Sequence, residues 1–152
     1  MIDTNKFIEK YKRISIIGME KNVGKTTLLN KLIADIGTNK KLGLTSIGRD
    51  GEDIDVVTNT DKPRIYVRRG SIIATGRNCL AKCDITKEIL YVTDFTTPMG
   101  SIVIVRALSD GYVDIAGPSY NKQVKIVVEL MEKFGSEISI VDGALGRKST
   151  AI

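Results

Sequence analysis

The chain has 152 residues, of which 42% are hydrophobic and 27% charged, which suits one globular domain and excludes a disordered chain. It contains no histidine, so Ser-His-Asp and Cys-His chemistry is excluded, and any metal should be held by oxygen atoms. With only two cysteines, no signal-peptide pattern and no long apolar run, we expect a cytoplasmic protein without a membrane partner. The net charge of +5 is spread along the chain without a basic run, so nucleic acid is not an expected partner.

The first regular elements predict a strand, a loop and a helix. Residues 14–17 are a short β-branched run, typical of a buried parallel strand, and Gly18 ends it. Residues 26–36 carry apolar side chains at intervals of one and three, which predicts a helix with one buried stripe, capped by Gly37. A second strand is predicted over residues 42–48.

The middle of the chain interrupts this α/β alternation. Between about residues 63 and 116, short β-branched runs alternate with turn signals, which predicts an antiparallel extension at the edge of a parallel sheet. The turns between the runs are too short for parallel crossovers, which need about a dozen residues or more. The runs are residues 64–67, 71–74, 88–92, 101–105 and 112–115. Cys79 and Cys83 are predicted on a single helical turn, as small apolar residues and not as zinc ligands.

Helix and strand alternate again towards the end of the chain. Gly117-Pro118-Ser119 predicts a helix start with Pro118 at the first helical position, as a plain cap or as a second anion-binding site. An apolar stripe along this helix should end at Gly135, and residues 138–141 form a third buried strand. The prediction is one α/β domain over residues 1–152. Since three parallel strands are few for such a fold, the chain is also compatible with being the N-terminal part of a longer protein.

Residues 18–27 have the pattern of a phosphate-binding loop between the first strand and the first helix. Backbone N–H groups of small residues surround a β-phosphate in such loops, and the helix N-terminus adds positive potential. Lys25 would reach the β- and γ-phosphates, and the Thr26 hydroxyl would ligate Mg²⁺. The residues predicted to contact the nucleotide are Glu20, Lys21, Asn22, Val23, Gly24, Lys25, Thr26 and Thr27.

The loop departs from the Walker A pattern at its entrance. That pattern has four residues between its glycines, whereas Gly18 and Gly24 enclose five, so Met19 stands where the first glycine is expected. We predict that Met19 takes the first turn of the loop. The alternative is a glycine-rich turn that only caps a helix.

Two aspartates follow predicted parallel strands, whose carboxyl ends converge at one edge of a sheet. Asp142 follows four apolar residues, as in a Walker B strand, and would hold Mg²⁺ directly or through water; the alternative is an Asp-Gly turn. Asp50 leaves the second strand, and its alternative is a solvated loop carboxylate. We predict one Mg²⁺ site formed by Thr26, Asp50 and Asp142, with Lys25 and the two aspartates as the catalytic residues.

Residues 24–28 and Asp142-Gly143 resemble the SIMIBI class of P-loop proteins, which includes dethiobiotin synthetase and ParA-type ATPases. The resemblance implies a P-loop three-layer sandwich with a parallel core sheet, and it implies that Asp50 holds metal or orients the attacking water. Residues 18–27, 46–52 and 141–149 also resemble P-loop proteins found with clostridial adenosylcobalamin-dependent lysine and ornithine aminomutases, proposed as reactivating factors.

Together these observations predict Mg²⁺-dependent binding and hydrolysis of a nucleoside triphosphate, coupled to a protein partner or a homodimer. The narrower resemblance implies reactivation of a cobalamin-dependent aminomutase. ATP is favoured over GTP, because the Asn-Lys-x-Asp or Thr-Lys-x-Asp guanine-reading pattern is absent from the sequence. Two alternatives remain open: a small-molecule kinase or ATP-dependent ligase of the dethiobiotin-synthetase type, and a nucleotide-binding interaction domain without catalysis.

Overall fold

The computed structural model describes residues 13–17, 23–36, 40–48 and 64–143, and for residues 15–17 and 23–28 it describes the backbone only. These residues form eight strands and three helices. In chain order the elements are β1 (Arg13–Ile17), α1 (Val23–Ile36), β2 (Leu42–Ser46), β3 (Ile65–Val67), β4 (Ile72–Gly76), α2 (Arg77–Leu80), β5 (Lys87–Thr97), β6 (Gly100–Ala107), β7 (Gly111–Val113), α3 (Asn121–Lys133) and β8 (Ile138–Gly143).

Six strands form one mixed sheet in the order β1-β8-β2-β4-β6-β5, and β3 and β7 form a separate antiparallel ribbon. Strands β1, β8, β2 and β4 run parallel to one another, whereas β6 pairs antiparallel with β4 on one side and with β5 on the other. The predicted α/β fold is confirmed, and the runs that became β5 and β6 form an antiparallel extension at the sheet edge. The other three runs were assigned wrongly. The run at residues 71–74 became β4, which is parallel to β2, because the long connection after β2 allows a crossover. The runs at residues 64–67 and 112–115 became β3 and β7, which pair with each other and not with the sheet edge.

Helices cover both faces of the large sheet. On one face α1 packs with the β3–β7 ribbon in a core that includes Ile33 and Ile73. On the other face α3 packs against a second core that includes Ile72 and Ala74. Neighbouring residues of β4 therefore point into different cores, as the twofold alternation of a strand requires.

Helix α3 buries the predicted stripe of Val124, Val127, Val128 and Met131. The chain leaves the helix at Gly135, whose φ of 120° is rare for residues with a side chain. The N–H groups of Gly135 and Ser136 donate to the carbonyls of Glu132 and Met131, which is a Schellman motif.

The predicted start of α3 is wrong. The helix begins at Asn121 with Tyr120 as its N-cap, so Pro118 does not occupy the first helical position. Residues 117 and 118 instead lie against the end of β2, where Gly48 N–H donates to the carbonyl of Pro118 at 2.7 Å. Because no helix begins at residues 117–119, the second anion-binding site that we considered there has no helix N-terminus to form it.

Neither cysteine forms a disulfide, and Cys79 is buried as predicted. Helix α2 ends at Leu80, so Cys83 does not share a helix face with Cys79; it is half-buried, and its thiol lies 3.1 Å from the carbonyl oxygen of Leu80. Within the described residues, none of the helices has the length and apolar character that crossing a membrane requires.

Candidate functional site

The predicted phosphate-binding segment joins β1 to α1. Strand β1 ends at Ile17, and α1 begins at Val23, three residues before the predicted start, so residues 24–27 belong to its first turn. The first N–H groups of a helix have no partner within the helix and are suited to an anion. Glu20, Lys21 and Asn22, like the Met19 turn, lie outside the described residues.

Asp142 lies at the carboxyl end of β8, the strand between β1 and β2. It is in register with Ile16 of β1 and with Ser46 of β2. Its carbonyl oxygen accepts a hydrogen bond of 2.9 Å from the Ile47 N–H, and one oxygen of its half-buried carboxylate, Oδ1, is buried. Asp142 thus stands beside the strand from which the predicted loop leaves, and level with its end.

The other two predicted metal ligands are not placed by the described residues. Asp50 lies outside them, and the Thr26 side chain is not among those described. The shared site of Thr26, Asp50 and Asp142 therefore stays a prediction, and so do the catalytic roles of Lys25, Asp50 and Asp142.

The chain crosses the carboxyl ends of β2 and β4 through residues 114–118, which we call the strap. The Gly117 N–H donates to Ser46 Oγ at 2.9 Å, and the Ala116 N–H donates to Thr75 Oγ1 at 2.8 Å. A Cβ atom on Gly117 would collide with the carbonyl oxygen of Ser46, so this close approach requires glycine. The strap forms the rim of the candidate site above β2 and β4.

Sequence reasoning missed the hydroxyl groups that hold this rim. Thr45, Ser46 and Thr75 are buried, and Thr45 Oγ1 donates to the carbonyl of Ala74 at 2.9 Å, which joins the ends of β2 and β4. Their signal in the sequence is three polar residues at the carboxyl ends of otherwise apolar strands. Buried hydroxyls need partners, and here the partners are other polar atoms of the same sheet edge.

The side-chain atoms that could coordinate a metal ion at this edge are oxygens, which suit a hard cation such as Mg²⁺. Within the described part of the chain, no group of three or more Asp, Glu, Cys or His side chains is gathered into a metal cluster. Mg²⁺ usually binds through one or two carboxylates together with water and substrate phosphates, so a single aspartate such as Asp142 at this edge is compatible with the predicted Mg²⁺ site.

Protein-family models, curated proteins and solved structures were each compared with this chain, and none of them matches it.

Proposed function

We propose that this protein binds and hydrolyses a nucleoside triphosphate, with ATP favoured, at the carboxyl edge of the parallel strands. The observation that supports the proposal best is the position of Asp142 in β8, next to the strand that leads through residues 18–22 into α1. A Gly-Lys-Thr-Thr segment in the first helical turn and an aspartate on the adjacent strand are the two parts that triphosphate binding needs.

Each residue then has a distinct role in the proposed site. The N–H groups at the start of α1 and the Lys25 ammonium bind the phosphates, which compensates their negative charge. Thr26, Asp142 and Asp50 would hold Mg²⁺, which neutralises charge on the phosphate oxygens when bound. Asp50 is further proposed to orient the attacking water.

The strap connects the proposed nucleotide site with the β3–β7 ribbon, so a change at the site on nucleotide binding would alter the surface near the ribbon. Asp114, at the start of the strap, forms an ion pair of 3.6 Å with Arg64, next to the β3–β7 ribbon. The ribbon exposes Tyr66 and Tyr112, whose rings meet edge to face at 5.2 Å. We propose that a protein partner docks near this ribbon, and the sequence resemblance makes a cobalamin-dependent aminomutase the candidate partner.

The proposed activity is tested by phosphate release from ATP and from GTP, with Mg²⁺ and with EDTA, using the wild type and Asp142→Asn. We expect release only with Mg²⁺, about a hundredfold slower turnover in the variant, and a smaller loss of ATP affinity. Asp110→Asn is the matched control. Its Oδ1 accepts a hydrogen bond from the Arg69 N–H at 2.7 Å, at the opposite end of β4, and this change should leave turnover unaltered.

The alternatives give different results in the same assay. Phosphate transfer to an added small-molecule acceptor, with little release to water, would favour the kinase or ligase. Tight Mg²⁺-ATP binding without release or transfer would favour a non-catalytic nucleotide-binding domain. No nucleotide binding at all would overturn the proposal.

A further inference from the structure

Strand β5 is the last strand on one side of the large sheet, and no described strand pairs with its outer edge. It is eleven residues long and carries three exposed apolar side chains: Ile89, Tyr91 and Val92 are 57%, 46% and 45% exposed. An open edge with apolar side chains is a ready template for another strand. The inference drawn from it is independent of the proposed nucleotide site.

A bulge in β5 places two of these side chains on the same face. Ile89 pairs with Val105 of β6 and Val92 pairs with Val103, and the pairing is irregular between them around Leu90. Val103 and Val105 both belong to the core on the α1 side of the sheet. Ile89 and Val92, three residues apart, therefore both face that side, which a regular strand would not allow.

Two opposite charges extend this row in both directions. Lys87 pairs with Ala107, which also belongs to the α1-side core, so it lies on the same face as Ile89. Asp94, an exposed residue, follows Val92 in a second stretch of irregular pairing, between Val92 and Thr96. Its neighbour Phe95 packs against the α3-side core, so Asp94 faces the α1 side and continues the row at the other end. Along this face of β5 a basic side chain is followed by two apolar ones and then by an acidic one, and the bulge at Leu90 lies at the centre of the row. The four residues are Lys87, Ile89, Val92 and Asp94.

We propose that β5 is the docking surface for a second copy of this chain, which adds its own β5 antiparallel to the first. With the twofold axis between Leu90 and Tyr91, Lys87 lies opposite the partner's Asp94, and Ile89 lies opposite the partner's Val92. Symmetry repeats each pair, and the two six-stranded sheets join into one.

The pattern favours a second copy because it is complementary to itself. Opposite charges stand at equal distances from the centre, and opposite-charge and apolar cross-strand pairs both stabilise a sheet. The neighbouring register, centred on Tyr91, would place Val92 opposite the partner's Leu90, although Val92 faces the α1 side and Leu90 packs in the α3-side core, so the paired side chains would not share a face. The bulge therefore selects the register, and the charges favour a second copy as the partner.

Charge reversal tests the proposal directly on the full chain. The dimer dissociation constant is measured by sedimentation equilibrium for the wild type, Lys87→Asp, Asp94→Lys and the double variant. We expect each single variant to weaken the dimer about tenfold or more, because it creates two like-charge pairs, and the double variant to return to within about threefold. Lys122→Asp, an exposed position on α3, is the control and should change nothing.

The register is tested by cysteine cross-linking in a Cys83→Ser background. A mixture of Ile89→Cys and Val92→Cys chains should form an intermolecular disulfide, whereas either variant alone should not, because like positions are too far apart to bridge. A wild-type chain that stays monomeric at about 100 μM, or a double charge variant as weak as the single variants, would overturn the proposal. Circular dichroism confirms that each variant is folded.

Discussion

The parallel strands β8, β2 and β4 and the outermost antiparallel strand β5 bury their side chains very differently. Every residue of β2 and β4 is buried, and so is all of β8 except Asp142. In β5, Thr93 is the only buried residue. A strand covered on both faces meets solvent only at its ends, so the candidate site lies there, whereas an edge strand presents its sides to a partner.

The two regions also use polar side chains differently. At the ends of the parallel strands, hydroxyl groups such as Ser46 and Thr75 are buried and fix the strap by hydrogen bonds. Along β5, the charged side chains lie at the surface, and Glu88 accepts a hydrogen bond of 3.0 Å from Arg106 there. The first arrangement holds a site in place, and the second determines which surface a partner meets.

The largest effect is expected from Lys25→Ala, which tests whether the end of the parallel region binds phosphate. We expect ATP affinity measured by calorimetry to fall about a hundredfold or more, because a lysine charge on the phosphates is lost from the site. Lys31→Ala is the control on the same helix; Lys31 is exposed and forms an ion pair of 3.7 Å with Asp35. Equal ATP affinity in the wild type and Lys25→Ala would refute the phosphate-loop interpretation.

A pair of isoleucine substitutions tests the difference in burial between the two regions. Ile73→Ala in β4 removes a fully buried side chain and should lower the free energy of unfolding by about 3 to 4 kcal/mol. Ile89→Ala in β5 should lower it by less than about 0.5 kcal/mol when urea denaturation is followed at concentrations where the chain is monomeric. Similar losses at the two positions would show that β5 is covered in the free monomer.

A smaller effect than that of Ile73→Ala is expected from Glu132→Gln in α3, whose carboxylate contacts Arg13 at the start of β1. Arg13 Nε and Nη2 donate to the two carboxylate oxygens of Glu132, each at 2.8 Å, and both side chains are 29% exposed. Such a two-pronged pair is stronger than a single surface contact, so we expect a loss of about 1 kcal/mol in the free energy of unfolding.

The same pair gives a pH expectation. The hydrogen bond to Glu132 raises the pKa of Arg13, burial opposes this, and the negative charges of Glu132 and Glu129 add to it. Because the folded pKa is the higher one, the contribution of Arg13 is complete below the ordinary arginine pKa and is lost only as the pH rises through the raised value. Between pH 6 and pH 9, stability curves of the wild type should therefore show no loss attributable to Arg13.

The sequence by itself determined the local elements of this protein. The apolar stripe of α3 and its end at Gly135, the β-branched runs and the short turns all depend on neighbouring residues, and each was found within a few positions of its prediction. The strand that ends at Ile17 and the helix that begins at Val23 were local in the same sense. The nucleotide contacts around residues 18–27 stay a prediction, because side-chain geometry at a ligand site is not encoded by local pattern.

Only the tertiary structure decided which elements meet. The insertion of β8 between β1 and β2, which brings Asp142 level with Ile16, joins residues more than a hundred positions apart, and no local periodicity carries that information. The parallel pairing of β4, and the crossing of the strap that displaced the start of α3 from Pro118, are of the same kind. Local propensity selects the elements, whereas burial of both sheet faces and pairing of every polar group select their arrangement.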